Sequence, residues 1–566
     1  MENTSKIKRY KFHVIIAVLL IIYCISIAPK GLQNDTFYTI KVGEYIAQNG
    51  IGNLKDDPFS WHELPYTFPH WLYDLSIYGV YSLGGMDGIY VSTIVLTSIL
   101  ALSVYFTSNK ISKNAPLSAI VTFIAMYLMQ PYLAARAQLV SFSLMVLTIY
   151  LIEKFLESGK KRYAFGLVVF SLLIVNLHMA VWPFFFVLFV PYIFEYIISL
   201  NIFTIDLIVR LKIFYEKYRA KDGYEQRIAE LKEKIEHNKV KRAEAQKNPY
   251  KIRVTRNDNV KKLILVMIIC AFMGIFTPTG ITTPYTYLYK TMSGNTMEVI
   301  NEHMPLDLRS NKDFVAFFLM FVVVLTFIDI KIDLKHLCYY LGILYLALNS
   351  RRQVSMFLII CTPILADLLG EIFEKYSPKL QEKIITVVTN FYAKVILSTA
   401  VIIIAIQNFK PKLKAQYYTN ANYPIYAAEW IKENLDYKNI KLFNEYNYGS
   451  YLIYEGIPVM IDSRCDLYTP QYNTKTGNPD DGEDIFMDVQ NVATGAAKYD
   501  EIFEKYGITH VITYSDSNLN KKLKKDLDYK KIYPTTIEEE TQDAKFVIYE
   551  RTEGIKTITE TTSENQ

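Results

Sequence analysis

The chain has 566 residues, 51% of them hydrophobic and 14% aromatic, with a net charge of only +5. Apolar runs recur at the roughly 20 residues that cross a bilayer as a helix, so this reads as a polytopic membrane protein. So small a charge, spread over separate loops, excludes a nucleic-acid partner. Cys24, Cys270, Cys338 and Cys361 lie in apolar runs, leaving Cys465 alone, so neither a disulfide framework nor a metal cluster is expected.

Lys6, Lys8, Arg9 and Lys11 precede the apolar run Val14 to Ala28, which no small-x-small cleavage site follows; it reads as a retained first span. A first outer loop, 30–87, comes next. Within it Tyr38, Val42, Tyr45 and Ile46 share one helical face and Asn49-Gly50 supplies a stop, which predicts an amphipathic helix lying flat at the membrane interface with Asp35 at head-group level. An Asp56-Asp57-Pro58-Phe59-Ser60 turn and a His70-Trp71 element follow. Further spans are expected near 88–107, 115–133, 139–156, 163–180, 183–203, 262–279, 313–330, 334–350, 354–371 and 392–408, about eleven in all. The run from Ala164 to Leu200 is too long for one crossing. Asn176, His178 and Pro183 divide it into a hairpin of two spans.

Lysines and arginines test this count, because alternate loops should carry them on the cytoplasmic side. The N-terminus, Lys110 and Lys113, Lys160 to Arg162, the insert 207–262, Lys331 and Lys335, and Lys375 to Lys383 all fall on that side. The other side receives the 30–87 loop, Arg136-Ala137-Gln138, Asn176 and His178, the 277–312 loop, Arg351-Arg352 and everything after 410. The insert is charged in both signs, with Ile228, Leu231 and Ile235 at helical spacing, and reads as a cytoplasmic helical hairpin. Residues 410–551 alternate short apolar and polar segments. They predict an extracytoplasmic α/β domain with helices at 424–435 and 484–506 and strands at 440–443, 451–454, 458–461, 509–514 and 546–549. The tail 552–566 is polar and expected to be disordered.

Several polar groups on the outer side could carry chemistry. Asp35 is either a functional carboxylate or a solvated acid capping the helix after it. Asp57 before Pro58 fits a turn, and His70 beside Trp71 fits an interfacial pair as well as a ligand site. Arg136 and Gln138, and Arg351 and Arg352, sit at span ends on the side where positive charge is otherwise depleted. A guanidinium fork matches phosphate oxygens, while snorkelling to head groups is the plain alternative. Asn176 and His178 also suit a hairpin turn, and Glu302-His303 an exposed loop. No Walker A, dinucleotide, zinc-protease or nucleophile-elbow motif is present, so no nucleotide cofactor is expected.

The order Asp35-x-Phe37-Tyr38, Gly43, Ile46, Gly50, Asp57-Pro58-Phe59-Ser60 and His70-Trp71, with Arg136-Ala137-Gln138, Asn176-x-His178, Glu302-His303-Met304-Pro305, Ser350-Arg351-Arg352-Gln353, Gly449 to Leu452 and Pro458 to Tyr468, resembles the GT-C class of membrane glycosyltransferases. That class includes the protein O-mannosyltransferases, the aminoarabinose transferase and the Rgt-like bacterial transferases. The resemblance implies a GT-C-like membrane domain over 1–409 and transfer, with inversion, of a sugar from a polyprenyl-phosphate donor to an acceptor outside a bacterial cell membrane. It implies Asp35 as catalytic base and Arg136, Arg351 and Arg352 on the lipid phosphate. Asp57 and Glu302 would position the sugar or hold a divalent cation. His70, Gln138, His178 and His303 would line the substrate site, and Asp462, Arg464 and Asp466 form a motif of the C-terminal domain. Two departures stand out: Ala137 where relatives carry proline, and His70 where they carry an acid. A transporter of lipid-linked saccharides or an envelope assembly scaffold is the alternative; it would use the same arginines without needing Asp35 as a base.

Topology is tested by single cysteines in a variant lacking the native ones. Asn53→Cys and Asn478→Cys should label from outside intact cells and Lys232→Cys should not. Outside labelling at position 232 overturns the arrangement.

Overall fold

The computed structural model describes residues 2–53, 56–200, 205–219, 223–246, 251–294, 296–474, 478–543 and 545–552; the expected tail lies, from 553 on, outside them. The chain opens with α1 (Glu2–Ile27), α2 (Asn34–Asn49), α3 (Trp71–Ser112), α4 (Ala115–Leu128), α5 (Ala137–Ser158) and α6 (Lys161–Leu177). The long apolar run breaks at His178, as expected, and continues as α7 (Trp182–Val187) and α8 (Val190–Ser199). Across the insert α9 (Ile205–Arg219) and α10 (Tyr224–Gln246) pack on each other as a helical hairpin, and Ile228 is buried. The insert returns through β1 (Ile252–Arg253), which pairs in parallel with β2 (Ile332–Asp333). Then follow α11 (Val260–Ala271), α12 (Thr283–Met292), α13 (Thr296–Val299), α14 (Lys312–Phe327), α15 (Leu334–Asn349), α16 (Val354–Tyr376), α17 (Leu380–Val388) and α18 (Phe391–Lys414).

Among the described residues six helices are long and apolar enough to cross a membrane: Lys6–Ile27, Trp71–Ser112, Ala137–Ser158, Met179–Ser199, Arg351–Tyr376 and Phe391–Lys414. The other five expected crossings fall on α4, α6, α11, α14 and α15, which have 14, 17, 12, 16 and 16 residues. Each is shorter than the roughly 20 residues of a straight crossing, so length and composition by themselves identify six of the eleven expected spans. At 42 residues α3 runs about 63 Å, twice the hydrocarbon thickness. Gly85 breaks it, with φ +56° and ψ −145°, a conformation that glycine adopts without steric cost. The span therefore begins after Gly85 as expected, but the stretch before it, from Trp71, is helix rather than loop.

Helix ends sort onto two faces. On one, the ends of α3, α5 and α8 meet the start of α15 around a cavity of about 730 Å³ whose wall includes Lys110, Lys113, Glu153, Glu195, Arg253 and Lys335. On the other, the opposite ends of the same bundle gather around Asp35. This is the segregation that the lysines and arginines predict.

Past α18 come α19 (Ile425–Asn434) and α20 (Gly449–Tyr454) and a four-stranded sheet of β3 (Leu442–Phe443), β4 (His510–Tyr514), β5 (Tyr529–Tyr533) and β6 (Phe546–Arg551) in the order β3-β4-β6-β5. The β3/β4 pair is parallel and the other two antiparallel. Expected strand 451–454 is instead part of α20, where Tyr451, Leu452 and Ile453 are all buried. Segment 458–461 lies outside the sheet and makes an isolated bridge from Val459 to Ser60. The expected helix 484–506 is two, Ile485–Thr494 and Tyr499–Tyr506, parted by Gly495 at φ +82°. Strand β5 has no apolar alternation to announce it, because Lys530 and Lys531 sit at its centre.

The apolar residues of α2 are covered by protein rather than left for a bilayer. The helix packs against both α3 and α20. Tyr38, Val42 and Ile46 are buried as the pattern predicts, but so are Phe37 and Ile40 on other sides. Phe37 is ringed by Tyr418, Tyr423, Tyr451 and Tyr454, with centroids 4.9–5.5 Å away. Gly43 meets α3 so closely that a Cβ there would lie 2.1 Å from the Asp74 carbonyl oxygen, which leaves no room for any side chain.

A buried ion cluster joins this first loop to the C-terminal segment. The Arg464 guanidinium donates to Asp57 at 2.6 Å and to Asp462 at 2.7 and 2.9 Å, and it lies 5.2 and 4.8 Å from the Phe59 and Tyr66 ring centroids. Asp57 also closes its own turn by accepting from the Phe59 and Ser60 amides at 3.3 and 2.9 Å. Removing the cation leaves two buried carboxylates without compensation, a loss of about 3–5 kcal/mol. Arg464→Leu should therefore lower the melting temperature and let limited trypsin digestion release the C-terminal segment; wild-type resistance would refute the tie.

Candidate functional site

A cavity of about 620 Å³ opens on the face opposite the lysine-rich one. Its walls come from the first turn of α2, the 65–70 segment, the start of α5, the end of α6, α12, the loop after α13, the start of the 351–376 helix and the segment 446–490. Of the residues expected from sequence, Asp35, His70, Arg136, His178, Glu302, His303, Arg352, Arg464 and Asp466 line it. A second cavity of about 200 Å³ is lined by Gln138, Arg351 and Leu139 and shares Gln33, Arg136, Asn301, Glu302 and Arg352 with the first. Asp57 and Asp462 line neither. They are buried against Arg464, so their place is in the tie between segments rather than on a substrate.

Asp35 occupies the first turn of α2, with Gln33 rather than Asp35 at the cap position. Its carboxylate pairs with Arg136, the residue just before α5. Arg136 reaches Glu302 and Gln33 as well, each at 3.3 Å. One guanidinium thus bridges carboxylates from two segments that are 267 residues apart in the chain. Burial pushes the Glu302 carboxyl up, but Arg136 and Arg352 outweigh it and hold the group below its ordinary range. Arg352 donates its amide to the Glu302 carbonyl at 2.9 Å, and Arg351 its amide to Met304 at 3.0 Å. The Arg351 side chain binds Asn301 and the Pro305 carbonyl, leaving Arg352 to face the larger cavity.

Deeper, His70 and His178 stack edge to face with ring centroids 4.9 Å apart, and the His178 Nδ1 contacts the Ser141 hydroxyl at 2.9 Å. Trp71 donates to Asn176 at 2.9 Å, and Asn176 donates to the Phe276 carbonyl at 3.1 Å. Asn176 is thereby a structural bracket between three segments. Burial, Arg352 and Arg136 hold His70 down at about 3; burial and Arg352 hold His303 at about 4. Both are neutral imidazoles at pH 7.

The wall from the C-terminal segment was largely invisible in the sequence. Tyr446, Tyr472, Phe486 and Gln490 face the cavity together with Tyr38, Tyr66 and Tyr287. With 45 tyrosines in the chain, no single one stands out. Asp466 Oδ2 accepts from the Tyr287 hydroxyl at 2.8 Å and the Thr291 hydroxyl at 3.1 Å. Burial raises its carboxyl above the ordinary value, and those two donors, with the charge of Arg352, offset part of the rise. Among the described residues no three His, Cys, Asp or Glu side chains are grouped to hold a metal ion. Asp57 and Glu302, the carboxylates considered for a divalent cation, are taken by different arginines.

No known protein-family pattern matches the chain, and no curated protein matches its sequence. Its fold is similar to that of the oligosaccharyltransferase of Archaeoglobus fulgidus in the apo form, with a TM-score of 0.52 and 11% identity over 89% of this chain and 69% of that one. The same enzyme tethered to an acceptor peptide containing the NVT sequon gives 0.51 and 12%, with the same coverage. ArnT from Cupriavidus metallidurans bound to undecaprenyl phosphate gives 0.46 and 11%, over 95% and 97%. These neighbours are GT-C glycosyltransferases, and at such identities the likeness is one of fold.

The lowered imidazoles set a pH dependence. A histidine with a folded value below its unfolded 6.5 leaves the unfolded state binding more protons, so stability falls as pH drops from about 6.5 toward 4. The contribution from Glu302, whose folded value is lowered, is lost at still lower pH. Melting temperature in detergent should therefore be flat from pH 7 to 8 and decline below 6.5, and His303→Gln should lessen that decline. An unchanged slope would mean that His303 titrates normally.

Proposed function

We propose that this chain is a membrane glycosyltransferase that moves a sugar from a polyprenyl-phosphate carrier to an acceptor on the extracytoplasmic side, with the cavity face outward and the N-terminus in the cytoplasm. The observation that carries this reading is the convergence of Asp35, Arg136, Glu302 and Arg352, from four separate segments, on one cavity of about 620 Å³ in a GT-C fold.

Each group has its own part in the chemistry. An acceptor hydroxyl attacks the anomeric carbon as the bond from that carbon to the phosphate oxygen breaks on the opposite face. The bonding pair leaves with the lipid phosphate and the hydroxyl proton passes to Asp35, so configuration inverts. Arg352, with Arg136 and the neighbouring Arg351, neutralises the departing phosphate from the smaller cavity, where the three guanidiniums outnumber the one carboxylate, Glu302. Arg136 also orients the Asp35 carboxylate. His70 and His178, neutral and packed beneath, shape the floor without competing for the anion. The 410–551 region acts as an extracytoplasmic α/β domain that covers the cavity and selects the acceptor.

The deciding experiment measures transfer from undecaprenyl-phosphate sugars by the purified protein in nanodiscs, with mass spectrometry of cell-surface glycans in its presence and absence. Asp35→Asn keeps the volume and an acceptor oxygen but takes no proton, so turnover should fall about 10²–10⁴-fold while donor binding persists. Near-normal transfer by Asp35→Asn removes the base assignment. No transfer by the wild-type protein from any such donor favours a transporter or scaffold.

A further inference from the structure

Beyond giving acceptor choice to the C-terminal region as a whole, the proposed reaction assigns no role to the individual residues of the wall that this region contributes to the cavity. Its centre is Asp466. The two oxygens of this carboxylate differ. Oδ2 accepts from the Tyr287 and Thr291 hydroxyls at 2.8 and 3.1 Å, whereas among the described residues Oδ1 has only the weak Cys465 thiol contact at 3.9 Å. The donors are themselves fixed, since Tyr472 contacts the Thr291 hydroxyl at 2.8 Å and donates to the Tyr287 carbonyl at 2.6 Å. Asp466 is thus a carboxylate held rigidly by one oxygen on the wall of a cavity, with acceptor capacity left on the other.

Its surroundings narrow what it would accept. The nearest guanidinium in sequence, Arg464, is spent on Asp57 and Asp462 and cannot pair with a ligand. Arg136 and Arg352 line the part of the cavity shared with the smaller lobe; the charge of Arg352 also reaches the Asp466 carboxylate, which already answers it. The half-buried Tyr446 ring and the Gln490 and Asn447 carboxamides complete the same side. An open carboxylate oxygen, amides and an aromatic face together suit a ligand with hydroxyl donors around an apolar ring face, and disfavour one that brings its own carboxylate.

We propose that this wall is a saccharide subsite for a neutral, polyhydroxylated sugar, in which Asp466 accepts ring hydroxyls and excludes uronic acids. The proposal rests on the transferase reading for its biological meaning, but the subsite binds without turnover. The sugar is either the one transferred or one belonging to the acceptor, and separate KM values for donor and acceptor distinguish the two.

The test uses the full-length protein in nanodiscs and two measurements. The first is the shift in melting temperature on adding methyl hexosides at millimolar concentration, compared with the matching methyl uronates. Wild type should be stabilised by at least one neutral hexoside and not by its uronate. Asp466→Asn should abolish the shift, since loss of a charged hydrogen bond typically weakens binding about 10- to 100-fold. Thr291→Val, which frees Oδ2 and loosens the carboxylate, should weaken it several-fold; it carries the test if Asp466→Asn melts far below wild type. The second measurement is KM and kcat, where Asp466→Asn should raise one KM about 10-fold or more with kcat within about 3-fold. Equal stabilisation by uronates, no hexoside shift in wild type, or a shift that survives both variants overturns the subsite. Absence of transfer by a wild type that still shows the hexoside shift counts against the transferase reading alone.

Discussion

The architecture depends on one buried arginine. Arg464 satisfies Asp57 from the first loop and Asp462 from the C-terminal segment at once, and the Phe59 and Tyr66 rings flank it. A buried cation with two carboxylates gains little over apolar packing in stability, but breaking it is costly because each charge then lacks a partner. Its value here is geometric. It fixes segments some 400 residues apart in register, with the Val459 to Ser60 bridge beside it, and so brings the 446–490 wall against Asp35. Without that register the cavity would lose its C-terminal wall.

The second constraint is that Arg136 is shared. Asp35 and its partner are 18% and 22% exposed, while Glu302 is 50% exposed, so the Asp35 contact is the sheltered one and the Glu302 contact the labile one. Solvent screens the Glu302 pair more strongly. An anion entering the smaller lobe would compete first with Glu302, and Arg136 could turn toward that anion without leaving Asp35 unsupported. In the proposed reaction the same residue would therefore both orient the base and meet the leaving phosphate. Arg352, whose amide is tied to the Glu302 carbonyl, would move with that loop.

How far the sequence carried the reading depends on the kind of signal. Lysine and arginine alternation is a property of whole loops, and it sorted the helix ends onto two faces even though five of the expected spans fall short of about 20 residues. The Asn49-Gly50 stop and the buried Tyr38, Val42 and Ile46 face were legible because helical periodicity is local. What periodicity could not reveal was that Phe37 and Ile40 are buried too. The apolar stripe looked like a membrane-facing surface because part of its true cover, the core around Phe443, Met460 and Ile461, lies some 400 residues downstream, as do the tyrosines that surround Phe37. Asp57 illustrates the converse. Its turn-forming role was clear from Pro58, but its ion pair needed a partner that no spacing rule connects to it. The charged β5 strand is held by pairing with β6 rather than by its own pattern.

Comparison of the two polar cavities separates a site from a seal. The lysine-face cavity is the larger, about 730 Å³ against 620 Å³, and richer in charge. Yet its groups answer one another: Lys335 pairs with Glu153 at 2.9 Å, Lys110 with Glu157 at 2.9 Å, and Arg253 with Asp333 and Glu371. Such a network closes helix ends that carry costly charges near a membrane, and it leaves little for a ligand to gain. On the opposite face one arginine is divided between two acids, a second faces the cavity beside it, and Asp466 keeps an oxygen in reserve. Charge left partly unsatisfied in a formed cavity is what a ligand can complete, and that imbalance, rather than volume, is what favours the cavity beside Asp35 for the proposed transfer.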